Sequence, residues 1–171
     1  MNIFYLSHKV SQCARWHCDR HVVKMILETT QLLYTAKWLL SSIPDFSDAP
    51  YRKGTQERGY LPIKNKKHPC AIWTRQSLDN YVWLCQFGLA LCEEYRHRYG
   101  ASKRHSCEDH LQWLYEFPPD NLHPTGWTEP LKAMPDEYRI SKNSIISYRE
   151  YYRKGKKHLL TYTKRHRPHW L

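Results

Sequence analysis

Two imidazoles, an amine and a carboxylate recur along one stretch of the chain: His17, His21, Lys24 and Glu28, followed by Gln31 and Thr35. Their spacings of 4, 3, 4, 3 and 4 are those of a helical row. At about 100° per residue the six positions fall within roughly 80° of one another. Apolar residues flank the row, with Ala14, Met25, Leu32 and Leu39 on one side and Leu27 and Trp38 on the other. Gln12, Arg15, Asp19, Thr30 and Lys37 form the side expected to face water. A polar row between apolar flanks must be hydrogen-bonded internally or line a cavity, because an unpaired buried charge is costly. An amine beside a carboxylate can do nucleophilic or acid–base chemistry. In that reading Glu28 acts as general acid/base or stabilises a developing sugar cation. Lys24, made nucleophilic by burial beside a protonated His21, supplies the amine, and His17 and His21 orient the site or shuttle protons.

Two other readings of the row stay open. Lys24 and Glu28 can form a structural i, i+4 pair, although Glu before Lys is the better order. His17, His21 and Glu28 can also serve as ligands of a metal-dependent nuclease. The zinc-protease pattern is not met, since Cys18, Asp19 and Arg20 separate the two histidines where that pattern needs Glu directly after the first. No metal and no cofactor is therefore expected.

The elements that position the row are helical. The first candidate helix starts at an N-capping Ser11 and runs to about Leu40, where Ser41, Ser42 and Pro44 stop it. Before it, Ile3-Phe4-Tyr5-Leu6 reads as a short strand or an extended lead-in. A long loop follows to Lys67, with Pro44, Pro50, Gly54, Gly59 and Pro62. A second long helix is expected from Pro69 to Tyr99, capped by Gly100. A third runs from Ser106 to Pro118, with Asp109 completing a variant capping box. Residues 118–135 are proline-rich and anchored by Trp127, Leu131 and Met134, and a fourth helix spans Ser141 or Ser144 to Arg153. The fold class is all-α: one compact domain, residues 1–171, on two long helices with a shorter third and fourth, long Pro-rich loops and a basic tail from about residue 154.

The chain carries 27 Lys and Arg against 16 Asp and Glu, a net charge of +11. That balance favours a polyanionic partner, nucleic acid and above all DNA, over a membrane surface. No apolar run is long enough to span a bilayer, and the start of the chain has no signal-peptide pattern, so an intracellular, non-secreted protein is expected. Six scattered cysteines without a Cys-x-x-Cys pair fit free thiols in a reducing setting. Phosphate contacts are expected from Lys64, Lys66 and Lys67, which lead into a helix start at His68-Pro69. Arg75 and Arg139 join them, with Arg149, Arg153, Lys156 and Lys157 of the basic C-terminal region. Trp73 or Trp127 can fill the space of an extruded base. A non-catalytic basic nucleic-acid-binding protein is the alternative from outside enzymology. Gly-rich phosphate loops, the Gly-x-Ser-x-Gly elbow and the cytidine-deaminase pattern are absent.

The string His17-Cys18-Asp19-Arg20-His21-Val22-Val23-Lys24-Met25-Ile26-Leu27-Glu28 resembles the signature of a family of small viral and phage proteins of unsettled function. Lys67-His68-Pro69-Cys70, Glu94-Tyr95-Arg96-His97-Arg98-Tyr99-Gly100 and Ala133-Met134-Pro135-Asp136-Glu137-Tyr138-Arg139 carry the same resemblance. More distantly, the layout is similar to the pyrimidine-dimer DNA glycosylases of the phage endonuclease V type, with Val10-Ser11 followed by Ala14 and His17 echoing their first helix. That resemblance implies a small, basic, all-α repair enzyme that removes a damaged or modified base from DNA, with or without strand cleavage at the abasic site. In that family an N-terminal amine attacks the sugar carbon and a glutamate on the first long helix assists. Glu28 is the counterpart here, in a displaced register. Asn2 is too large for routine removal of Met1, so the resemblance leaves the Met1 amine, Lys24 or a different chemistry as the source of the nucleophile.

Overall fold

The computed structural model describes residues 1–171, and every regular element in it is helical. The chain begins with a buried extended segment, Asn2–Ser7, in which Ile3, Phe4, Tyr5 and Leu6 all sink into the core. Six α-helices follow: α1 (Val10–Trp16), α2 (Asp19–Leu40), α3 (Pro69–Thr74), α4 (Leu78–Tyr99), α5 (Glu108–Glu116) and α6 (Ser144–Glu150). Helices α2 and α4 pack along each other, α1 lies on α4, and α5 closes the far end. Gly88 permits a close approach: a Cβ there would stand 2.7 Å from Leu111 Cδ2 on α5 and 3.0 Å from Thr29 Cγ2 on α2. One core of 31 residues draws on the N-terminal segment and all six helices. No helix is long and apolar enough to cross a membrane.

The two long helices differ from the sequence reading in the same way. Each expected helix is broken near its start, at His17-Cys18 and at Arg75-Gln76-Ser77. Neither break has a proline or glycine to cause it. At the first, the Cys18 N–H donates to the Tyr152 hydroxyl and the Asp19 N–H to the Thr161 carbonyl, so partners from the C-terminal region replace the helical ladder. At the second, Ser77 caps α4 through the Asn80 N–H, and the Leu78 N–H donates to the His123 carbonyl. The third helix starts two residues later than expected, without a side-chain cap at Cys107.

The C-terminal region is not a solvated basic tail. Helix α6 runs into a π-helical turn, Tyr151–Gly155, and the chain then lies back over the α1–α2 junction. Tyr162 donates its hydroxyl proton to the Trp16 carbonyl, Trp170 packs against Trp16 and Tyr152, and Arg165 pairs with the buried Glu94. Residues 154–171 are thus part of the packed structure, and removing them would strip the wall from the junction they cover.

Candidate active site

Glu28 is the centre of the arrangement. It stands halfway along α2, is 8% exposed, and forms the floor of a cavity of about 370 Å³. The N-terminal segment and the π-turn region supply the other walls, with Met1, Asn2 and Phe4 on one side and Tyr151, Lys156 and Leu159 on another. Glu28 Oε2 accepts a hydrogen bond from the Asn2 backbone N–H at 2.8 Å, and the Met1 amine nitrogen lies 3.8 Å from the same oxygen. Glu28 Oε1 faces Lys24 Nζ at 3.3 Å.

Asn2 explains why the amine is held there. Its side-chain oxygen accepts the N–H groups of Ile3 and Phe4, and its amide group donates to the Ala133 carbonyl at 2.7 Å. These bonds turn the chain so that the next nitrogen upstream points at the carboxylate. Gly155 has a similar local purpose at the opposite wall: a Cβ there would press into the Tyr151 ring at 2.6 Å. Without one, the Tyr151 ring lies tilted against Tyr138 with centroids 4.9 Å apart, and Lys156 Nζ sits 4.8 Å over the Tyr151 ring and 5.9 Å over Phe4.

Of the sequence-derived row, His21, Lys24 and Glu28 line this cavity, and His17 does not. The helix break removes His17 from the row. It is fully buried at the end of α1, its Nδ1–H donates to the Cys13 carbonyl at 2.7 Å, and burial pushes its pKa down to about 4. His21 stacks on Phe4 at 4.3 Å, and its Nδ1 lies 2.8 Å from the Tyr152 hydroxyl. Burial, with the neighbouring His17, Lys156 and Lys24, holds its pKa at about 3. His21 is therefore neutral at pH 7 and carries no charge to activate an amine. Lys24 is not enclosed either, since 67% of its side chain is exposed at the rim. The row lies at the edge of the solvent face rather than between buried flanks: Val23 and Leu27 are exposed, while Thr30 and Lys37, expected in water, are buried. Lys37 donates to the Phe117 carbonyl and lies over the Trp113 ring. Further along the row, Thr35 accepts the Ile63 N–H and is tied into the long loop.

The ligand set of the alternative metal reading does not assemble. His17 is buried away from Glu28, and no group of three or more His, Cys, Asp or Glu side chains converges to hold an ion.

The expected phosphate contacts divide. Lys156 lines the cavity, Lys157 is exposed beside it, and Lys64, Lys66 and Lys67 are exposed on the loop that leads to α3. The free helix end expected after those lysines is taken, because α3 has six residues and His68 Nδ1 accepts the Cys70 N–H. Arg149 is built into the structure, donating to the Leu6 carbonyl between the Trp16 and Trp170 rings. Arg153 bonds to Glu150 and the Trp170 carbonyl, and Arg139 pairs with Asp136. Arg75 is half-buried. Trp73 leaves no room for a base: it is fully buried and donates to the Thr128 carbonyl. Trp127 lines a different cavity of about 420 Å³, with His8, Asp79, Trp83 and Gln86. Sequence reasoning missed Asn2, Tyr151, Tyr152 and, as a cavity cation, Arg20. Arg20 is i−4 to Lys24 and was legible as such; the others come from distant parts of the chain.

The family model for pyrimidine dimer DNA glycosylases matches residues 1–109, more than half of the chain. The protein belongs to the pyrimidine dimer DNA glycosylase family, a group of DNA-repair glycosylases. No curated protein and no solved structure matches it. The matched stretch holds the N-terminal segment and α2, and therefore Glu28. The wall made by Tyr151, Lys156 and Leu159 lies beyond it.

Proposed function

We propose that the protein is a DNA glycosylase with abasic-site lyase activity, acting on a damaged pyrimidine, with the Met1 amine as nucleophile and Glu28 as its acid–base partner. The single observation that carries this reading is the Met1 nitrogen 3.8 Å from a buried carboxylate at the floor of an open, cation-rimmed cavity. In its unprotonated form the amine attacks C1′ of the flipped nucleotide. The C1′–N1 bond breaks, and its electron pair leaves with the base, which takes up a proton. Glu28 accepts the proton released by the attacking nitrogen and returns one to O4′ as the sugar ring opens. The product is a covalent imine between Met1 and the sugar; a C2′ proton then passes to Glu28 or water, the C3′–O bond breaks and the 3′ phosphate leaves, and water hydrolyses the unsaturated adduct.

Arg20, Lys24 and Lys156 at the cavity, with the exposed Lys157, suit the phosphates on either side of the extruded nucleotide. Lys24 is the weaker nucleophile candidate because its ammonium is largely in water and already faces Glu28 Oε1. Borohydride trapping on DNA with an abasic site tests the reading: a covalent adduct is expected with the wild type, and strong loss of it with Glu28→Gln. Salt-dependent binding with no adduct and no base release would support a binding protein instead. Chelator-sensitive cleavage would restore the metal reading.

A further inference from the structure

Tyr152 is fully buried, and its hydroxyl lies 2.9 Å from the Cys18 backbone N–H and 2.8 Å from His21 Nδ1, with the Cys18 thiol also close by. The first can only donate, so the phenol oxygen accepts it. Burial holds the phenol far above its ordinary pKa, so its proton stays on the oxygen. A buried hydroxyl proton left without a good acceptor is costly, and His21 Nδ1 is the strong acceptor in reach, the Cys18 thiol beside it being a weak one. Nδ1 is therefore the unprotonated nitrogen, and the ring proton of His21 resides on Nε2. Phe4 stacks on the imidazole at an interplanar angle of 18° and fixes its plane. Nε2 has no partner in the protein, and His21 lines the cavity above Glu28. His17 has the opposite tautomer: its Nδ1–H goes to a carbonyl, and its Nε2 is an orphan in the core.

We propose that Tyr152 is a positioning residue that locks His21 as a neutral Nε2–H donor aimed into the cavity, toward an acceptor oxygen of the bound nucleotide. The identity of the acceptor rests on the glycosylase reading; the tautomer does not. His21 then contributes a hydrogen bond of fixed direction and moves no proton. It is buried beside the Lys24 and Lys156 ammoniums, so both desolvation and like charge oppose an imidazolium there.

The test combines ring-nitrogen NMR of His21 in the full-length protein with single-turnover kinetics on dimer-containing DNA, for the wild type and Tyr152→Phe. The wild type should show the Nε2–H tautomer, and Tyr152→Phe a mixture with Nδ1–H. The variant's rate at saturating DNA should fall about tenfold with affinity within about twofold of wild type. A wild-type spectrum with the proton on Nδ1 overturns the proposal even if the variant does not fold. A folded Tyr152→Phe protein with mixed tautomers and full rate overturns the positioning role. A wild type that shows no base release fails the glycosylase reading instead, and the spectrum still decides the tautomer.

Discussion

Glu28 and Glu94 are both buried carboxylates on 22-residue helices, and they are held in opposite ways. Glu94 is saturated by rigid cations: Arg98 Nε at 2.7 Å on one oxygen, and Arg165 reaching both oxygens, its Nη2 at 2.8 Å. Arg98, with no side-chain exposure, goes on to Asp19 and the Arg15 carbonyl, and Asp19 accepts from Thr163. This network pins α1, α2, α4 and the C-terminal segment together. Burial alone would raise the Glu94 carboxyl, but hydrogen bonds from Arg165 and Arg98 overcome it and hold the pKa below its usual value. Glu28 has only one rigid donor, the Asn2 N–H, with an amine and a largely exposed lysine beside it. A carboxylate that stabilises a fold is closed on all sides by guanidiniums. Glu28, to which the proposal gives the proton-handling role, keeps a face open to the cavity. Burial by itself does not distinguish the two; the nature of the partners does.

Exchanging each acid for its amide should separate the roles. Glu28→Gln keeps an oxygen for the Asn2 N–H, so the fold should persist. The single-turnover rate should drop about a thousandfold, or roughly 4 kcal/mol of barrier, with DNA affinity near wild type. A rate within threefold of wild type would place Glu28 with Glu94 as a structural acid. Glu94→Gln leaves the buried Arg98 undercompensated and should cost about 3 kcal/mol of stability by chemical denaturation, while the folded protein keeps its rate per molecule. A stability change below about 0.5 kcal/mol would mean that the network does not hold the C-terminal segment.

Acidification weakens the structural side of the comparison first. His17 takes up its proton near pH 6.5 when unfolded but only near 4 when folded. Its stabilising contribution is thus complete above pH 6.5 and declines as pH falls toward 4. Lowering the pH from 7.5 to 5 should remove about 2 kcal/mol through this group. His21 adds to the loss in the same direction, and the lowered carboxyls of Glu94 and Asp19 add theirs at still lower pH. A His17→Phe variant whose stability follows the wild-type pH curve without change would contradict this assignment. The smallest effect belongs to Lys24→Met. The exposed Lys24–Glu28 pair should contribute less than about 0.5 kcal/mol to stability. Loss of one cavity cation should lower the salt slope of DNA binding by about one.

The helical class, the long loops and the need of Glu28 for a partner were legible because they are local. Periodicity marks α2, and a glutamate mid-helix away from the N-terminus needs a partner. Lys24 at i−4 was the partner that local spacing could name. The stronger one, the Asn2 N–H, lies 26 residues away and depends on the N-terminal segment folding back across α2. The two helix breaks escaped detection for the same reason. Their backbone groups are claimed by Tyr152, Thr161 and His123, and no breaker residue announces them. The basic C-terminal residues misled because charge counts carry no information about pairing. Arg149, Arg153 and Arg165 are engaged within the fold, whereas Lys156 reaches the cavity.

The identity of the amine is the point on which the account turns. Peptide mapping by mass spectrometry of the borohydride-trapped protein–DNA adduct reads it directly. The sugar fragment should be found on the α-nitrogen of Met1, and Lys24→Met at saturating DNA should still give an adduct there. An adduct mapped to Lys24, or lost in Lys24→Met while the protein still binds DNA, would contradict it.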